Sequence, residues 1–421
     1  MRGSLGRISL RAAGMALNAL TYAIAARHLS ATDMGQWALA TALTSIAMSL
    51  DLGLSSHLRN RLVDRVDEDR AADYRNVFSL CTCVALIYAL LVAGGSTLAL
   101  RLHLPSPQWW TPARQTLTIA MVVGAGLLCV RMPFNLATNA FYSFNEPDNP
   151  IFWEVFNFLA SFALVALVLW TGGGVILAAA AFLAGGTLSA IGCTTHFLIR
   201  RGWKLRLQAP RAVGTLLAGA SSFGFVQLTA LGLNTLPSFV VASLVRVEDV
   251  TIARAAMILS QAVLSLHLAH AMPIWTEFTQ LRTSVDWQVR IAHLRRQLWR
   301  ESGLLVAAFA VLATLLPWAI GVWLNRAADA RVTTAFCAWG AASGLANLHS
   351  LILNGANRPL VTATALLPGT ALAAGLAWTL APHWGTAGVA AAFAAGASVT
   401  ALLMAWFARR QITLLQEDLK R

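Results

Sequence analysis

Charge is scarce in this chain. Only 12% of its 421 residues are Asp, Glu, Lys or Arg, where a soluble globule carries about a quarter. That deficit excludes a water-facing surface over most of the molecule. Carboxylates are the scarcer sign, 18 Asp and Glu against 31 Lys and Arg, and lysine occurs only at Lys204 and Lys420. Neither lysine follows a glycine, so the Gly-Lys pair with which a P-loop grips phosphates is missing and ATP hydrolysis of that kind is not expected. The five cysteines, Cys81, Cys83, Cys129, Cys193 and Cys337, all fall in apolar runs. Cys81 and Cys83 have the wrong gap for a zinc or redox pair, so these residues read as small packing groups, and neither a metal nor a cofactor is expected.

Apolar residues are what the chain has in quantity, at 57% and a mean hydropathy of +0.63. A membrane-spanning helix needs ~20 of them in a row, since ~1.5 Å of rise per residue must cross ~30 Å of hydrocarbon. About twelve such runs can be read, at 8–27, 35–55, 77–100, 115–140, 151–171, 174–199, 214–243, 250–272, 302–324, 332–354, 359–381 and 384–408. The expected fold class is an all-α polytopic membrane protein with two six-helix bundles. The first run lacks the short core and cleavage site of a signal peptide and is expected to remain as a span.

Orientation follows from arginine. The run from Trp37 ends in Asp51-Leu52-Gly53-Leu54 and breaks into a segment to Asn76 holding Arg59, Arg61, Arg65, Arg70 and Arg75, a density of positive charge that resists translocation. Alternating from that inner loop, the inner segments hold 23 of the 31 Lys and Arg and the outer ones seven, with Arg131 inside a span. Both termini are therefore expected in the cytoplasm. The net charge of +13 lies in short clusters between apolar runs, which suits topology and anionic headgroups rather than nucleic acid. The longest outer connection, about Arg101 to Arg114, carries Trp109-Trp110 as expected interfacial anchors. The inner loop 273–301 mixes Trp275, Trp287, Leu294, Leu298 and Trp299 with Arg290, Arg295, Arg296 and Arg300, the pattern of a helix lying on the membrane surface. The basic segment 200–213 divides the chain into an N-terminal bundle (1–199) and a C-terminal bundle (214–408), followed by a tail (409–421). With an even number of spans in each half, a repeat between them would be parallel.

Arg131 is the sharpest single residue. An arginine facing lipid costs ~3 kcal/mol on insertion scales, so it must face protein, water or substrate. Pro133 frees a backbone carbonyl that the guanidinium could hold, and Asn135 and Asn139 follow at one and two turns. A substrate-facing role and a structural pairing both fit. Gln227 and Asn234 share a helix face ahead of Pro237, as do His267 and His270. The two histidines have no third ligand nearby, so a metal site is not expected. Lining of a watery cleft and hydrogen bonding between helices remain alternatives for these four. No Asp or Glu lies near the middle of a predicted span; Asp51, Glu154 and Glu277 come closest. Coupling to protons or sodium usually needs such a buried carboxylate and is therefore disfavoured.

Arg27-His28-Leu29 with Gly35, the segment DLGLSSHLRNRLVD after the second span and MPIWTEFTQLR after the eighth resemble polysaccharide flippases, the Wzx-type O-antigen transporters of the multidrug/oligosaccharidyl-lipid/polysaccharide (MOP) superfamily. Asp51, Gly53, Leu54, Leu58 and Arg59 carry the best match. The resemblance implies a MATE/MOP-like fold, residence in a bacterial inner membrane and translocation of an undecaprenyl-diphosphate-linked oligosaccharide for surface polysaccharide or lipopolysaccharide O-antigen. It implies no enzymatic activity. The implied partners are that lipid-linked oligosaccharide, membrane lipids and other polysaccharide-assembly proteins. The resemblance also implies a cationic cleft, for which Arg131 and Arg27 are the matching positions; where many relatives carry a charge in the seventh span, this chain has Asn234 to Pro237. The competing readings are a multidrug exporter of the same superfamily, which would need carboxylates in the cleft, and a membrane-embedded oligosaccharide polymerase or ligase, which would need a large outer loop.

Overall fold

A chain in hydrocarbon must satisfy its backbone N–H and C=O groups within its own segment, and helices do so. The computed structural model describes residues 2–48, 51–64, 67–101, 114–144, 146–271, 273–281, 286–356 and 358–420. Among them every regular element is a helix: α1 (Arg2–His28), α2 (Ala31–Met48), α3 (Leu54–Asp64), α4 (Asp67–Arg101), α5 (Arg114–Phe134), α6 (Leu136–Ser143), α7 (Asp148–Trp170), α8 (Val175–Arg201), α9 (Val213–Asn234), α10 (Leu236–Leu244), α11 (Val250–Ala271), α12 (Pro273–Gln280), α13 (Trp287–Leu324), α14 (Ala330–Gly355) and α15 (Pro359–Lys420).

Among the described residues, eight helices are long and apolar enough to cross a bilayer: α4, α7, α8, α9, α11, α13, α14 and α15. α1 carries Arg2, Arg7 and Arg11, and α2 runs into residues outside the described set. α15 is too long for one crossing and is broken at Gly385, whose φ of 55° and ψ of −136° leave the helical region. Exposed Leu86, Ile87, Leu90 and Leu91 on α4 have the hydrocarbon-facing character that a soluble surface would not tolerate as a patch. The connection carrying Trp109-Trp110 lies outside the described residues.

The chain divides into two compact units, Met1–Leu228 and Thr229–Arg421, with the boundary inside α9. In the first unit α8 is central and packs against α2, α5, α6 and α7, while α1 packs on α7. At the arginine-rich end its core is Leu54, Leu58 and Leu62 of α3 with Tyr74, Phe78, Phe141 and Phe197. The basic segment after α8 is pinned to α4: Asn76 and Arg211 exchange two hydrogen bonds at 2.9 and 2.6 Å, and Gln208 N donates to Ser79 Oγ at 3.1 Å.

In the second unit α14 packs against α11, α12, α13 and α15. The indole of buried Trp339 donates to Leu233 O at 3.1 Å. A short helix follows α2 in one unit and α11 in the other, α3 and α12 respectively. Of the amphipathic segment 273–301 expected to lie on the surface, Pro273–Gln280 forms the separate helix α12, whereas residues 287–301 are continuous with an apolar helix, since α13 runs from Trp287 to Leu324 without a break. Ile291 and Leu294 turn into the core with Phe278, Leu351 and Ile412.

Candidate functional site

The site is built around a break in a helix. Pro133 lacks the N–H that the helical ladder needs, and α5 stops at Phe134 before α6 restarts at Leu136. The break is braced from α8, where Thr194 Oγ1 donates to Phe134 O at 2.6 Å. Two residues before the proline, the half-buried Arg131 side chain crosses to α8 and lays its guanidinium against the backbone of Gly186. A β-carbon at that position would overlap Nη1 and Cζ of Arg131. The guanidinium therefore does not hold the carbonyl freed by Pro133; its Nε is buried with no hydrogen-bond partner among the described residues.

Phe182 lies one turn from Gly186 on the same face of α8. Its ring meets Trp37 of α2 edge-on at 5.7 Å, and Trp37 in turn meets Tyr22 of α1 at 4.5 Å. The Tyr22 and Thr41 hydroxyls are 3.3 Å apart. From α7, Ser161 Oγ donates to Phe182 O at 2.9 Å. Arg131, Trp37 and Ser161 thus converge from three helices on one stretch of α8, with Tyr22 of α1 behind Trp37. Asn18, one turn before Tyr22, has its Oδ1 buried with no hydrogen-bond partner among the described residues, and the same holds for the Trp37 indole N–H. A buried polar group left unsatisfied costs about 1–3 kcal/mol, and α1, α2 and α5 each carry one such atom, Asn18 Oδ1, Trp37 Nε1 and Arg131 Nε.

Arg131 is in no ion pair with a carboxylate among the described residues. Three acids of this unit are paired with other arginines: Glu154 with Arg11 at 3.6 Å, Glu146 with Arg200 and Arg201 at 2.9 and 2.7 Å, and Asp73 with Arg61 at 2.7 Å. Arg11 and Glu154 lie on the same faces of α1 and α7 as Asn18 and Ser161, and Arg11 Nη2 also reaches Tyr142 Oη at 3.5 Å. The arrangement sets a positive charge beside Gly186 among aromatic and hydroxyl side chains.

The remaining expected residues fall into other places. Arg27 is exposed in the last turn of α1. Asn135 stands at the helix break, its N–H on Arg131 O at 3.0 Å, and Asn139 is half-buried in α6. Gln227 accepts from Gly53 N at 3.2 Å and so belongs to the α2–α3 turn. Asn234 bonds back to Ala230 O at 3.0 Å. His267 and His270 are brought together, but on Glu301: His270 Nδ1 donates to Glu301 Oε2 at 3.0 Å and His267 Nε2 to Glu301 O at 3.1 Å. No cluster that could hold a metal ion occurs among the described residues.

Sequence reasoning misses Glu301, which reads as the end of a loop and is fully buried; it begins an apolar run that joins the basic helix ahead of it without a break. Asn18, a polar residue within the first apolar run, is a legible signal that such reasoning leaves unused.

Searches by family and against curated proteins return no match. Among solved structures, the chain superposes on an inward-facing multidrug resistance MATE family transporter of the MOP superfamily with a TM-score of 0.71 at 12% identity, covering 98% of this chain and 99% of that one. A MOP superfamily transporter from Pyrococcus furiosus gives 0.68 at 14% identity, covering 98% and 96%. The lipid II flippase MurJ in an inward closed conformation gives 0.69 at 12% identity, covering 96% and 88%. The fold is that of MOP superfamily transporters.

Proposed function

We propose that this chain is a transporter that flips an anionic, lipid-linked oligosaccharide, of the undecaprenyl-diphosphate class, from the inner to the outer leaflet of a bacterial inner membrane for surface polysaccharide assembly. The observation that carries the reading is Arg131, a cation set inside the first unit with no carboxylate partner among the described residues. An intramembrane charge is costly and is kept where it meets substrate, and a guanidinium matches the geometry of a diphosphate. The sequence resemblance to O-antigen flippases and the fold shared with MurJ support the same substrate class. The Pyrococcus structure is described as having a binding pocket of reverse polarity that suggests a different function, so pocket charge is a variable on this fold. Twelve spans with both termini cytoplasmic, as arginine distribution requires, complete the reading. Lipid-linked oligosaccharide, membrane lipids and other assembly proteins are the partners it needs.

A multidrug exporter taking cationic drugs would need an uncommitted carboxylate inside. The buried Glu301 is committed to Arg300 and His270, which favours the anionic substrate. An anionic headgroup moving outward is driven by an inside-negative potential, at about 2.3 kcal/mol per charge per 100 mV.

The test is transfer of a lipid-linked oligosaccharide across the bilayer of proteoliposomes, scored by access of an external sugar-specific lectin. Arg131→Ala is expected to abolish transfer with normal reconstitution, Arg131→Lys to keep part of it, and collapse of an imposed potential to slow the native protein. Unimpaired transfer by Arg131→Ala would overturn the reading.

A further inference from the structure

The second unit carries a groove that the transport reading does not use. It lies between α13, α14 and α15 and has a volume of about 830 Å³, within the range of ~300–1,000 Å³ that small-molecule sites occupy. One end is basic, with Arg295 of α13 and Arg409 of α15. Arg295 bonds to a neutral partner, Gln416 Oε1 at 3.1 Å, and neither arginine forms an ion pair among the described residues. Val306, Leu345 and Ala405 supply apolar wall, with Ser302 and His349 among the polar lining. Arg295, Trp299, Gly303 and Val306 succeed one another along one face of α13, so the gradient from charge to hydrocarbon runs along the helix for ~16 Å. Trp299 and Val306 are 73% and 50% exposed, and on a membrane-crossing helix such residues face lipid.

The geometry points to a bound anionic phospholipid, its phosphate between Arg295 and Arg409 and an acyl chain lying over Gly303 against Val306, Leu345 and Ala405. Charge complementarity selects this occupant: a basic pocket between spanning helices recognises an acidic headgroup, and the surrounding bilayer supplies it. Gly303 forms the floor. A β-carbon there meets nothing within 4 Å, so a larger side chain would fill the groove without touching the packed core.

The experiment uses the full chain reconstituted in vesicles of equal phosphatidylglycerol and phosphatidylcholine, extracted in mild detergent and weighed by native mass spectrometry. At about fivefold per arginine, the native protein is expected to retain phosphatidylglycerol over phosphatidylcholine by about 25-fold. Arg295→Gln with Arg409→Gln should bring the ratio near one. Gly303→Leu, which also favours the helix, should lose both adducts at an unchanged melting temperature. Equal retention of the two lipids by the native protein, or unchanged adducts in Gly303→Leu, would overturn the assignment. So would displacement of phosphatidylglycerol by an equal concentration of polyprenyl phosphate, which would make the groove a seat for the transported lipid's tail.

Discussion

The guanidinium of Arg131 rests on the backbone of Gly186, with no room for a β-carbon between them. The pair fixes where Arg131 stands, a cation with no carboxylate partner among the described residues. Gly186→Ala would push the guanidinium off its seat, yet the atoms displaced are the tip of a flexible side chain, and alanine is a better helix former than glycine by about 1 kcal/mol. The variant is therefore expected to melt close to the native protein. A hydrogen bond to a charged group contributes about 1.5–3 kcal/mol, so the affinity for an anionic headgroup should fall by roughly 10- to 100-fold. Binding of a short-chain polyprenyl diphosphate by calorimetry checks this, and native affinity in Gly186→Ala would separate Arg131 from the substrate.

Gly53 is the opposite case, where the neighbours cannot give way. Its φ is +77°, and an added β-carbon would stand 2.5 Å from Gly224 N and 2.7 Å from Phe223 Cβ as well as against Ala220 O. Asp51 holds the same turn by accepting from Gly53 N at 2.9 Å and Ser55 N at 3.1 Å. Gly53→Ala incurs the left-handed penalty of about 1–2 kcal/mol and overpacking of about 1–3 kcal/mol. Asp51→Ala loses a helix cap worth about 1 kcal/mol. Fluorescence-detected melting in detergent should show Gly53→Ala as much the less stable of the two.

These two glycines show how far the sequence could be read. The Asp51-Leu52-Gly53-Leu54 motif was visible because an apolar run ended there in a turn signal, and a buried Asp51 capping α3 agrees with it. Gly186 carried no local signal, since its role depends on an arginine 55 positions earlier in sequence. Helices were legible throughout because runs of apolar residues leave no other spanning structure. The ends of helices were not: α13 and α4 extend well past the apolar residues into charged segments, where tertiary burial of Leu294 and of Tyr74 decides. The same blindness hid Glu301.

Acidification should act on α3. His57 lies against Gly219 of α9, and burial lowers its pKa below the ordinary 6.5, with Arg61 adding to the shift and Asp73 opposing it. The unfolded chain then binds more protons than the folded one as pH falls through 6.5, so stability rises with pH in that window and is lost below it. The native protein is expected to melt lower at pH 5.5 than at pH 7.5. His57→Gln, which cannot take up the proton, should narrow that difference; an unchanged difference would place the acid sensitivity elsewhere.

Glu301 is the buried acid of the second unit, its side chain 1% exposed. It accepts from His270 Nδ1 at 3.0 Å and from Arg300 Nη2 at 2.9 Å. Glutamine has the same shape, but its amide N–H₂ must then face one of those donors, leaving a donor against a donor. Removing one partner of a fully buried pair costs about 3–5 kcal/mol. Here Arg300 and His270 are 62% and 52% exposed, and water can reclaim them, so the loss in Glu301→Gln should be nearer ~1–2 kcal/mol. His270→Ala alone removes one of the two donors and should cost less. Because the introduced glutamine can turn its amide oxygen toward Arg300 once His270 is gone, the double variant should be more stable than the two single losses added together predict. Melting of the four proteins of that cycle measures the coupling, and strict additivity would show that the histidine and the carboxylate do not act on each other.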